Sequence, residues 1–168
     1  EAFEAYRKGI ELYKEAHQYI GLEKLMDANQ AFDEALRLDP EFGQASLYKM
    51  DAYAHILIEG SLLKEGMTLQ QAQEEMIEII NYGAERVDSE TLQLAARLNA
   101  VFFSDSWYQL PKLAEDFEAA MNGRSSFPNG SIWMSEIITL MGKPEMFDAD
   151  SKSDIELDPL NVTAWIYR

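Results

Sequence analysis

The chain has no cysteine, which removes disulfides, thiol nucleophiles and thiolate metal sites and leaves the redox compartment open. Histidine, the side chain best suited to proton transfer near neutral pH, occurs only twice, as His17 and His55. Neither stands in a recognised metal spacing, and both are read as solvent-edge or groove residues. HExxH, P-loop, GxSxG and glycine-rich dinucleotide motifs are absent. No catalytic residue, cofactor or metal is therefore expected, and the chain reads as a non-enzyme. No apolar run approaches the roughly twenty residues of a membrane span, so a soluble segment is expected. Basic residues are outnumbered: 14 Lys and Arg face 30 Asp and Glu, a formal net charge of −16 over 168 residues. Such a field repels phosphate backbones and argues against a nucleic-acid partner.

Prolines and glycines are also few, five and nine, so each break they make is informative. The clearest break lies in residues 28–53. Ala28, Phe32, Ala35, Leu36 and Leu38 recur at the three- and four-residue spacings of one helical face, with Asp33, Glu34 and Arg37 facing away. Pro40 lacks a backbone donor and disfavours helix at Asp39, which predicts a stop near Leu38. Gly43 offers a permissive turn residue, and Ala45, Leu47, Met50, Tyr53, Ala54 and Leu57 open a second stripe.

The spacing of Ala28, Phe32, Ala35 and Pro40, with Tyr53 thirteen residues after Pro40, resembles the junction between two tetratricopeptide repeats. The resemblance implies an all-α fold, a right-handed superhelical solenoid of about four helical hairpins. Over 1–168 the hairpins are expected near 2–38, 42–86, 89–122 and 129–157, with a further helix starting over 160–168. The chain is expected to form one solenoid domain and to be a fragment of a longer protein. Gly9 is the expected small contact point in the first helix. Thr68 and Gln71 form a capping-box pattern for the helix carrying Ala72, Met76, Ile79, Ile80 and Ala84. Asp88 or Ser89 should cap the third pair, and Pro111 suits the first turn of the helix that follows.

The resemblance also implies a concave groove lined by the first helix of each hairpin, through Gln44, Leu47, Asp51, Ala54 and His55 in the second hairpin and Asn129, Ile132, Glu136, Thr139 and Leu140 in the last. Family members that grip an acidic C-terminus use lysine and asparagine at such places. Asp51 and Glu136 argue against that clamp and for an apolar or basic peptide segment, from another protein or another domain of the parent chain. The alternative expectation is a self-association module forming a homodimer. Carboxylates alternate in DADSKSD at 148–154, but the sixth and twelfth positions hold Ser153 and Pro159, which fails the calcium-loop pattern. Trp107, Trp133, Trp165, Tyr108 and Phe127 are candidate interface anchors, most of them expected in the core. A stretched first hairpin, LDPEFGQA and the following DAY look like repeat regions of bacterial regulators, such as membrane-anchored winged-helix activators and adenylate-cyclase-type signalling proteins. This implies a cytoplasmic or periplasmic interaction or sensory role.

Overall fold

The computed structural model describes residues 1–18, 21, 23–61 and 66–121, all of it helix, turn or loop with no strand among the described residues. The chain divides into two compact units, Glu1–Ser89 and Glu90–Arg168. The division falls where the third hairpin is expected to begin.

In the first unit α1 spans Ala2–Gln18, α2 Lys24–Leu38, α3 Gly43–Glu59 and α4 Leu69–Ala84. Each helix runs antiparallel to the next. Gly9 faces Phe32 while Glu15 meets Lys24; Asn29 lies beside Lys49 while Ala35 packs with Ala45; Ser46 bonds Ile79 while Tyr53 bonds Glu75. The same bookkeeping makes α1 and α3 parallel, because Tyr6 meets Phe42 and Tyr13 meets Tyr48, with ring centroids 4.6 and 5.3 Å apart. Two antiparallel hairpins thus lie side by side.

The expected stripe of α2 is the core. Ala28, Phe32 and Ala35 are buried together with Ala45, and Phe32 is fully enclosed, a burial that contributes about 1.5–3 kcal/mol. Gly9 is the small contact point: a Cβ there would lie 2.4 Å from the Phe32 ring. The helix ends at Leu38 with Asp39 extended at φ −142°, ψ 94°, as Pro40 requires. The Asp39 carboxylate accepts the Glu41 N–H at 3.1 Å, and Tyr82 of α4 donates its hydroxyl to the Pro40 carbonyl at 2.7 Å. Gly43 differs from its reading as a turn residue. It opens α3, and its smallness serves a helix crossing, since a Cβ there would come within 2.7 Å of the Gly83 carbonyl oxygen.

Gly60 ends α3 at φ 68°, the left-handed conformation glycine adopts without strain. Thr68 caps α4: its hydroxyl accepts the Gln71 N–H at 3.1 Å and Gln71 Oε1 accepts the Thr68 N–H at 2.9 Å. Ala72, Met76, Ile80 and Ala84 are buried and Ile79 is partly so.

In the second unit α5 spans Glu90–Phe102 and α6 spans Leu110–Met121, joined through a short 3-10 turn at Trp107–Gln109. Ala95, Leu98, Phe117 and Met121 form its described core, with Leu94, Phe102, Leu110 and Leu113 packed against them. Pro111 sits in the first turn of α6, where its missing N–H has no helical partner to lose.

Candidate functional site

The parallel course of α1 and α3 brings three side chains together that lie far apart along the sequence. His17 occupies the last turn of α1, and Asp51 and His55 stand one helical turn apart on α3. His17 Nε2 lies 3.1 Å and His55 Nε2 3.9 Å from Asp51 Oδ2. One ligand atom from each of the three falls within 4.8 Å of the others. Asp51 is only 2% exposed, and its Oδ2 meets both imidazoles at ion-pair distance without a well-aligned hydrogen bond from either. His17 closes the outer side, its side chain 34% exposed.

Both rings are held from behind. His17 Nδ1 lies 2.8 Å from the Tyr13 carbonyl oxygen and His55 Nδ1 lies 3.0 Å from Glu59 Oε1. A carbonyl or carboxylate can only accept, so each Nδ1 engages its partner by donating a proton, which leaves the Nε2 side of each ring facing Asp51. Burial pushes the His17 imidazole down, but the hydrogen-bonding and charge influence of Asp51, aided by the Tyr13 carbonyl, more than offsets it and leaves the group raised. Burial raises the Tyr13 phenol well above its ordinary value, with the charge of Asp51 and then Tyr48 adding to it.

Around this acid floor the α1 and α3 faces are aromatic. Tyr6, Tyr13 and Tyr48 are partly buried, and Tyr48 stacks on Phe32 at 5.7 Å. Of the expected groove residues on α3, Gln44 is exposed, while Leu47, Asp51, Ala54 and His55 are buried. Asn129, Ile132, Glu136, Thr139 and Leu140 lie outside the described residues, as do the acidic segment 148–154, Trp133, Trp165 and Phe127. Trp107 and Tyr108 are exposed at 57% and 82%. Trp107 stacks on Phe102 with an interplanar angle of 6° and donates Nε1–H to the Phe102 carbonyl at 2.8 Å.

The spacing of His17 from Asp51 gave the sequence reading no metal motif, because the two meet only through helix packing. Asp51 and His55 four residues apart on one face were the visible half of the cluster. No family model, curated protein or solved structure matches the chain. Fold and site together define a class: the described residues form an all-α arrangement of antiparallel helical hairpins with a His–Asp–His cluster, buried at Asp51 and open at His17, between two parallel helices. No helix among the described residues is long and apolar enough to cross a membrane.

Proposed function

We propose that the chain is a non-catalytic interaction scaffold of tetratricopeptide-like hairpins that binds a basic segment of a protein partner along the α1 and α3 face. The observation that carries this reading is the face itself: Tyr13 lies close to the buried carboxylate of Asp51, with the half-buried Tyr6 and Tyr48 further along the same packing, in a chain of net charge −16. Phenol rings attract Lys and Arg side chains through their faces, and an acidic surface steers a cationic segment toward them. Gln44, the exposed member of the expected groove set among the described residues, marks the accessible start of this face on α3.

The test is fluorescence anisotropy with a labelled Lys- and Arg-rich peptide and a length-matched Glu-rich control. The basic peptide is expected to bind and the acidic one to fail. Gln44→Arg places a like charge beside the bound segment and is expected to weaken binding about threefold to tenfold, the effect of roughly 1 kcal/mol between charges close together in water. Equal binding of both peptides would remove the proposal, and an unchanged Gln44→Arg affinity would remove this face from it.

A further inference from the structure

We infer that His17, Asp51 and His55 form a binding site for a divalent transition-metal ion of the zinc type, which clips α1 to α3. Three observations converge on it. The first is the geometry of the donor atoms. Tetrahedral zinc with nitrogen and oxygen ligands near 2.0–2.2 Å sets those ligands about 3.3 Å apart. His17 Nε2 and Asp51 Oδ2 are already 3.1 Å apart, and His55 Nε2 lies 3.9 Å from the same oxygen. The three donor atoms all lie within 4.8 Å of one another, so the two rings must draw inward to complete the set.

The second is the orientation of both rings. Each Nδ1 is engaged from behind, by the Tyr13 carbonyl and by the Glu59 carboxylate, the arrangement that fixes the tautomer of metal-ligating histidines and makes the other nitrogen a better donor. The third is electrostatic. Asp51 is 2% exposed, with Oδ2 lacking a well-aligned hydrogen bond, and a buried carboxylate needs a positive partner. With an imidazole nitrogen 3.1 Å away on one side and another 3.9 Å away on the other, that oxygen has room for a cation held by all three side chains.

Two imidazoles and one carboxylate favour zinc and its transition-metal neighbours over magnesium or calcium, which take oxygen ligands. Three protein ligands leave a fourth position for water or for a donor from a partner. Because the ligands come from different hairpins, bound metal ties the start of the first unit to its middle. The site stands whether or not the face binds a basic segment.

The experiment uses the tag-free chain and Zn²⁺. Isothermal titration calorimetry above pH 7 is expected to show one zinc per chain, with affinity falling about tenfold or more in Asp51→Asn, His17→Gln and His55→Gln. In the unaltered protein, nitrogen-15 spectra of the histidine side chains read the site directly, since His17 and His55 are the whole histidine complement. One equivalent of Zn²⁺ is expected to shift both Nε2 resonances and to leave both Nδ1 protonated. At free zinc about 100 times the dissociation constant, the folded-to-unfolded ratio should rise about 100-fold, seen as a higher thermal midpoint. Absence of stoichiometric binding overturns the site. Zinc uptake that leaves the histidine resonances unmoved also overturns it, by assigning the metal to the acidic surface.

Discussion

At the scale of single residues, the tightest constraint in the first hairpin is Gly9. A Cβ at this position would stand 2.4, 2.6 and 2.8 Å from three atoms of the Phe32 ring, and that ring is fully buried between Tyr6 and Tyr48. Alanine is the better helix former by about 1 kcal/mol, whereas overpacking a closed core opposes it by about 1–3 kcal/mol. Gly9→Ala is therefore expected to lower stability by up to about 2 kcal/mol, read as a reduced urea midpoint with an unchanged slope. An unchanged midpoint would mean that the Phe32 ring moves aside without loss.

His17 carries the second residue-scale prediction. Its folded-state pKa is raised above 6.5 through Asp51 despite burial, so the folded chain binds the proton more tightly than the unfolded chain. Its contribution to stability is fully present below pH 6.5 and is lost as pH rises through the raised folded value. The groups facing it are Asp51 and His55 of α3 and Tyr13 on its own helix, with Glu59 behind His55. Thermal midpoints of chelator-treated protein should fall across that window, and His17→Gln should flatten the fall. A midpoint that rises there, or a decline preserved in the variant, would remove His17 as its source.

At the scale of elements, α4 is set by its two ends. The reciprocal hydrogen bonds of Thr68 and Gln71 satisfy backbone donors of its first turn, and Thr68→Ala is expected to cost about 1 kcal/mol. Faster amide exchange confined to the first turn of α4 would locate the loss, and a uniform change would not. At the other end a Cβ on Gly83 would meet the Leu47 side chain at 2.7 Å and the Gly43 carbonyl oxygen at 2.9 Å. Gly83→Ala must push α3 and α4 apart, because one obstacle is backbone and the other is a fully buried leucine. We expect a loss of about 1–3 kcal/mol, visible in the chemical-denaturation midpoint. A midpoint at or above that of the unaltered chain would show that the crossing has slack.

These elements were legible because their signals are local. A 3.6-residue stripe, a proline stop after Leu38 and a capping box at Thr68 each act within a few residues, and the last two coincide with the observed end of α2 at Leu38 and the observed start of α4 at Leu69. The face of α3 bearing Asp51 and His55 was legible for the same reason. Their burial was not, because part of what covers them comes from α1, through Tyr13 and His17. Gly43 looked like a turn residue because its real constraint, the Gly83 carbonyl, lies forty residues away. Pairing between distant helices leaves no periodic trace in the chain, and the His–Asp–His cluster is such a pairing.

For the molecule as a whole, the dominant quantity is charge. Thirty acidic groups against fourteen basic ones leave −16, and compaction brings those like charges together. Opposing this are ion pairs such as Lys24 with Glu15, Lys49 with Asp33, and Lys112 with Asp116. Each has at least one well-exposed partner, and pairs of that kind contribute about 0–1 kcal/mol. Net repulsion should win, so salt should stabilise the fold: raising NaCl from about 10 mM to 0.5 M shortens the screening length from about 30 Å to below 8 Å and should raise the thermal midpoint. The same salt should weaken capture of a basic peptide, because it screens attraction as well as repulsion. Opposite responses of stability and binding to one variable distinguish a charged docking face from an apolar one. If the midpoint instead falls with salt, the local ion pairs outweigh the net charge. If binding holds steady while the midpoint rises, the partner is held by apolar contact and its basic character is incidental.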